Sequence, residues 1–485
     1  MFLVINPRKR FDIVKDPVHG YIRFTRNILH PSIEKSTEAD LINSIWLQRL
    51  RRIHQLQTAW YVYPAADHSR FSHALGVMEL AGKFARAVYE PFYQFHKGKI
   101  EGEPLPEVEH VVESFRIAGL LHDVGHGPFT HMLDRVYLKN KFGLTHEVIA
   151  EKIITSELKE IIESIRRSPD APFERPLDVF IISRLIKKGG EQELDFIWKP
   201  LHQIIRGAYD ADKMDFLLRD GMLCWESGIT KADVERLIFT SFFSSDGNFF
   251  LLHHSSLHLL MSFIRFRQRM LETVYYHPTV RAIEIEIEEI LPRIAAHLLP
   301  QNPVDDLDTY AKLDEYAFFY FIESLRKSSD QQDKKIIDTW DSISQRKIKW
   351  KRTEEFSLPI HQPRDLNIHL TASELSSRIE NDTHMKKNEH FIVDSPPTET
   401  PGNVFSFSSD LSKRDKLMIF YEDRPPKPTL IDDLAARLHI PIKVIPYRLY
   451  TVQGLGADSI KKIRGSFMTH LGMREEFSSL LESSF

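Results

Sequence analysis

At 485 residues the chain can bury a large core, and length alone suggests about three domains. A formal net charge of −4 excludes recruitment to nucleic acid or membrane by overall charge, and a single cysteine, Cys224, excludes an intrachain disulfide and a thiolate zinc site. No apolar run approaches the ~18 residues of a membrane span, and the apolar start is too short for a secretory signal, so a cytoplasmic protein is expected.

Residues 11–30, with Asp16, Pro17 and Gly20, read as a short strand and turn. From Ala39 the pattern is helical through about Gln55, with Leu41, Ile45, Leu50 and Ile53 apolar and Gln48, Arg49, Arg51 and Arg52 polar. An aromatic connection follows at 60–66. A second helix then places His73, Val77, Leu80 and Phe84 at i, i+4, i+7 and i+11, so His73 opens a buried stripe. Taken alone, such a histidine is more often a hydrogen-bonded core residue than a ligand.

The stretch from His122 to Asp134 holds three histidines and two aspartates. Val111, Phe115, Ala118 and His122 again share one helical face, and Gly125, Gly127 and Pro128 stop the helix. That leaves Asp123 and His126 at its end. A buried aspartate beside a histidine needs compensation, and a metal ion is the usual one. Thr145 is the expected N-cap of a helix opening with His146. Residues 155–200 read as charged helix and loop.

Four aspartates fall between Asp210 and Asp220, with Asp210 as an expected N-cap. Asp212, Phe216, Arg219 and Asp220 share one helical face, and Asp212 beside Lys213 could form a surface pair. Two long helical patterns span 255–298, and more helix is expected from Asp308 to about Lys351. Residues 371–410 are rich in Ser, Thr, Asn and Pro and read as loop. Strand-like runs at 417–421 and 442–450 flank an amphipathic helix expected around 430–438.

His73, His122, Asp123 and Asp212 suggest one site. Imidazole and carboxylate without thiolate suit Zn, Mn or Fe, and also Mg where carboxylate and water suffice. The order H…HD…D resembles the metal motif of the HD superfamily of phosphohydrolases. Gln48–Leu56, Arg70–Gly76, His122–Asp134 and Asp210–Asp220 together resemble its deoxynucleoside triphosphate triphosphohydrolase branch, of the SAM-and-HD-domain type. The resemblance is strong from about residue 11 to 290 and faint in the tail, as at Phe391–Asp394 and Ile419–Tyr421.

The resemblance implies a mainly α fold: an HD-domain helical phosphohydrolase core with a smaller α/β C-terminal lobe. The expected segments are 1–40 (strand and turn), 41–298 (HD core), 299–370 (helical extension), 371–410 (loop-rich) and 411–485 (α/β lobe). It implies one divalent metal (Mn, Fe, Zn, Ni or Mg) on His73, His122, Asp123 and Asp212, with additional Mg accompanying the triphosphate. His126, His146 and Asp134 match catalytic positions, and His131 a residue near the α-phosphate. Arg70, Lys213 and Arg267 match phosphate contacts, and Gln55 and Asp220 match residues near the sugar 3′-hydroxyl. Phe216 stands where relatives carry a sugar-packing tyrosine, and Tyr275 matches a base-stacking tyrosine.

The implied reaction is hydrolysis of a dNTP to deoxynucleoside and inorganic triphosphate by a homo-oligomer, a dimer or tetramer, with no role for nucleic acid indicated. Alternatives are another HD-type phosphodiesterase or nuclease, or a nucleotide- or nucleic-acid-binding scaffold without catalysis. Relatives bind an activating guanine nucleotide. Here Gln48 and Arg51 are retained, whereas Asn43 replaces a guanine-reading aspartate and Asp12, Lys15 and Pro278 replace other expected residues. Activation by GTP in the manner of those relatives is therefore not expected; the enzyme is expected to be constitutively active or driven by a dNTP, with Gln48 and Arg51 leaving room for a regulatory nucleotide.

Overall fold

The computed structural model describes residues 11–26, 36–97, 104–195, 197–360, 370–396, 418–421, 429–430 and 443–472. The chain is mainly α-helical and divides into two compact units. The first comprises 1–270, 291–321 and 415–434, and the second 271–290, 322–414 and 435–485.

In the first unit, strands β1 (Phe11–Asp16) and β2 (Gly20–Thr25) form an antiparallel hairpin. The helix expected from Ala39 to Gln55 is broken into α1 (Glu38–Ile42), α2 (Ile45–Gln48) and a 3-10 turn over Arg49–Arg52. The physical reason is local. Asn43 closes α1, and Ser44 takes an extended conformation and restarts the helix as an N-cap.

Helices α3 (Arg70–His96) and α4 (Val108–Leu121) pack side by side. Both sequence stripes are buried, His73 with Val77, Leu80 and Phe84, and His122 with Val111, Phe115 and Ala118. Each large apolar side chain so buried contributes about 1.5–3 kcal/mol, which fixes the rotation of both helices. The imidazoles ride on that rotation. Helix α5 (His146–Thr155) follows the HD segment, and α6 (Ala211–Leu223) lies against α3. Asp210 caps α6 as expected, its carboxylate accepting from the Lys213 N–H at 2.8 Å.

Strands β3 (Ser241–Phe243) and β4 (Phe250–His253) pair antiparallel, and β4 pairs in parallel with Met418–Phe420. Helix α7 (Leu257–Met270), then α8 (Leu307–Ala311) and α9 (Glu315–Ser324), complete the elements used below.

The second unit is built on a three-stranded antiparallel sheet in which Lys443–Val452 lies between Trp350–Ile360 and Phe391–Asp394. Helices Ala372–Thr383 and Ala457–His470 cover it, burying Leu375, Ile379, Ile463 and Phe467 against Phe391, Tyr447 and Leu449. Three expectations are corrected here. The helix expected to run on to Lys351 ends at Ser344, and a strand begins at Trp350. Residues 372–383 of the expected loop are helical, because Thr371 and Glu374 form a reciprocal N-terminal cap and Leu375 and Ile379 supply a buried face. The tail is not one lobe: Met418–Phe420 joins the first unit and Lys443–Val452 the second. Of the helix expected around 430–438, Leu430 instead ends a strand paired with Met418, and residues 431–438 lie outside the described residues.

Candidate metal centre and active site

Four side chains converge at the ends of α3, α4 and α6. His73 Nε2 lies 3.1 Å from Asp212 Oδ1 and 3.9 Å from Asp123 Oδ2. His122 Nε2 lies 3.4 Å from Asp123 Oδ2 and 3.6 Å from Asp212 Oδ1. The sequence separates these residues by as many as 139 positions (73 to 212), and the packing of three helices brings them together.

The other nitrogen of each ring is held by protein. His73 Nδ1 bonds Asp215 Oδ2 at 2.8 Å, and His122 Nδ1 donates to the Gly119 carbonyl at 2.8 Å. These tethers fix the tautomer and aim both Nε2 atoms at the same point. Asp215 is itself buried and held by His19 Nε2 at 2.6 Å and by Arg219 at 2.9 Å on both oxygens. Gly76 permits this crossing, since a Cβ there would stand 1.8 Å from Asp215 Oδ1.

The donor set fits a divalent metal. His122 Nε2 is buried without a hydrogen-bond partner although it points at two carboxylates, which is the state of a ligand atom rather than of a core histidine. Burial opposes the charged form of His122, yet Asp123 and Asp212 outweigh it and push its pKa up to about 10. Burial likewise pushes the Asp123 carboxyl upward, but Arg70, His122 and His126 hold it well below its usual range. The buried Asp123 and half-buried Asp212 carboxylates thus call for positive charge at this point, and a divalent cation would supply it.

Beside this centre lies a second cluster of His126, His131, Asp134 and His146. His126 stacks on His146 with ring centroids 3.7 Å apart, and His131 meets His126 edge-on at 4.8 Å. His146 Nδ1 is bonded to Asp134 Oδ2, so Asp134 orients His146 rather than His126. Nε2 of His126 lies 3.4 Å from Asp123 Oδ1. Burial, with Arg70 and His146 acting the same way, holds the His126 pKa well below its ordinary value, so the ring is neutral at pH 7.

The residues expected to contact substrate are placed as follows. Arg70 pairs with Asp123 at the metal centre. The Gln55 N–H donates to the His68 carbonyl at 2.9 Å, and His68 Nε2 bonds Asp220 Oδ1 at 2.9 Å, so Gln55 and Asp220 are linked through His68. Lys213 Nζ bonds Asp210 and the Gly207 carbonyl, not Asp212 as a surface pair. Phe216 is half-buried on α6, and Arg267 is buried on α7. Tyr275 is half-buried and belongs to the second unit, in the turn Leu271–Tyr275.

Sequence reasoning missed Asp215, His19 and His68. The excess of aspartates in α6 was the one available signal for Asp215, which lies three residues after Asp212. Nothing local announces His19, 196 positions from the carboxylate it holds.

A family profile of the HD domain matches residues 70–215, a span containing all four converging ligands and all three clustered histidines. The chain therefore carries an HD domain over these residues. It is similar to the uncharacterized protein YwfO of Bacillus subtilis, 29% identical over 336 residues, covering 66% of this chain and 67% of that one. It is also similar to the deoxynucleoside triphosphate triphosphohydrolase SAMHD1 of Bos taurus, 30% identical over 253 residues, and of Homo sapiens, 32% identical over 249. Those matches cover 47% of this chain and only 37% and 35% of the two mammalian proteins. A solved structure of a hypothetical protein from Aquifex aeolicus shares the fold, with a TM-score of 0.64 at 22% identity over 93% of this chain and 100% of that one. Among the described residues no helix is long and apolar enough to cross a membrane.

Proposed function

We propose that this chain hydrolyses deoxynucleoside triphosphates to deoxynucleoside and inorganic triphosphate. The observation that carries the reading is the adjacency of two clusters. His73, His122, Asp123 and Asp212 converge on one point, and His126, neutral at pH 7 and stacked on His146, stands beside it. The similarity to mammalian deoxynucleoside triphosphate triphosphohydrolases supports a dNTP as the substrate.

His73, His122, Asp123 and Asp212 hold a divalent cation, with Mn, Fe, Zn or Ni suited by a mixed nitrogen and oxygen set. When bound, it supplies Lewis acidity toward a phosphoryl oxygen and toward water. Arg70, Lys213 and Arg267 neutralise the triphosphate, and this electrostatic contribution is the largest that the chain itself makes. Gln55 and Asp220 orient the sugar, with Phe216 packed on it, and His131 lies along the α-phosphate. His126, neutral at pH 7, accepts the proton of the attacking water. His146, held by Asp134, passes a proton to the leaving 5′-oxygen.

Incubating the metal-loaded protein with each of the four dNTPs and separating the products tests this. Inorganic triphosphate and deoxynucleoside are expected. A monophosphate product would instead mark a phosphodiesterase or nuclease.

A further inference from the structure

The active-site loop is anchored by a strap that none of the motifs contains. Between α8 and the start of α9, residues 310–315 run beneath the HD turn. Tyr310 donates its hydroxyl to the Gly125 carbonyl at 2.6 Å. Arg49 spans the gap, donating to the Val124 carbonyl at 3.2 Å and the Leu313 carbonyl at 2.9 Å, with its guanidinium over the Tyr310 ring. Arg52 pairs with Asp314.

Glu315 closes the strap. Its Oε1 accepts from the His54 N–H at 3.2 Å and from the Phe129 N–H at 3.4 Å, while its Oε2 bonds His54 Nδ1. The carboxylate is buried, the His54 ring stacks on Trp60 at 5.6 Å, and the Phe129 ring packs edge-on against Phe318 at 4.8 Å. Phe129 and Thr130 both have positive φ, +53° and +47°. Two consecutive non-glycine residues there are strained and persist only where the surroundings over-determine them.

We propose that Glu315 is a positioning residue. One buried carboxylate ties the backbone before Gln55 to the strained turn before His131, and so fixes the spacing between the sugar-orienting residue and the phosphate-side histidine. The role rests on the hydrolase reading only for its kinetic consequence. A group misplaced by about 1 Å costs on the order of 10²-fold in rate, which is the scale a loosened turn would reach.

The test uses the full-length, metal-loaded protein. In Glu315→Ala, bound metal should match wild type, kcat should fall about tenfold or more, and amide exchange at Phe129–His131 should accelerate. Glu315→Gln keeps an acceptor and should restore kcat to within about threefold and restore protection of the turn. Hydrogen exchange needs no substrate, so it reads the strap even if dNTPs prove not to be hydrolysed. Wild-type exchange in Glu315→Ala overturns the proposal, as does wild-type kcat on an established substrate. Should Glu315→Ala fail to fold, His54→Ala removes the ring that Glu315 Oε2 bonds and is read by the same measurements. Faster exchange at Phe129–His131 with unchanged bound metal is expected, and wild-type exchange overturns the proposal.

Discussion

The two histidine clusters stand side by side and are built on opposite principles. At the metal centre each imidazole is pinned through Nδ1, His73 by Asp215 and His122 by a backbone carbonyl, and both Nε2 atoms point inward. In the neighbouring cluster the rings lean on one another, and only His146 is pinned through Nδ1 by a carboxylate. Pinning fixes the tautomer and leaves one lone pair aimed inward, as a metal ligand requires, whereas His126 is kept uncharged by burial and by Arg70 and His146, as the proposed base requires. The difference separates two roles that residue type alone does not.

The sharpest way to break this comparison is Asp123→Ala. It should abolish bound metal and hydrolysis together, and full metal occupancy by elemental analysis would remove Asp123 from the ligand set. His126→Ala and His146→Ala should leave metal content intact while kcat drops by about 10²-fold, the scale of a general acid-base group. Wild-type turnover in both would dissolve the distinction between the clusters.

A subtler probe is Asp215→Asn, which touches no metal but orients His73. Metal affinity should weaken by about 10- to 100-fold, as for other residues that hold a ligand's far nitrogen. Activity should return at saturating metal, and an unchanged affinity would make Asp215 merely a packing residue. The smallest expected effect concerns regulation. Asn43 is exposed at the end of α1, Gln48 accepts from Arg51 Nε at 2.9 Å, and Asp12 pairs with Arg26. We predict that GTP changes the rate of dATP hydrolysis by less than about twofold, since Asn43 presents a donor and an acceptor where the guanine N1–H and N2 amino group need two acceptors. A GTP-dependent rise in rate with growth in particle size by light scattering would contradict it.

The parts of the site written in helical periodicity were legible. His73 and His122 each extend an apolar stripe, and burial of that stripe dictates where the imidazole points. The aspartates of α6 were conspicuous by number. What escaped depends on contacts across long separations: His19 reaches Asp215, and Glu315 reaches His54 across 261 positions, with no periodicity to betray either. In the second unit, polar composition hid the Ala372–Thr383 helix, although Thr371 and Glu374 spelled its cap. The strand at Trp350–Ile360 was hidden because its partner lies about a hundred residues onward, beyond any local signal.

Gly76 carries a consequence beyond packing. Because a single methyl group there would occupy the space of the Asp215 carboxylate, alanine at this position would disturb the centre while every ligand, base and cation of the chain stayed chemically present. Position 76 is thus a veto on the whole assembly held by the one residue that does no chemistry. Side chains elsewhere in the site can change one at a time, but at position 76 even one added carbon meets the Asp215 carboxylate.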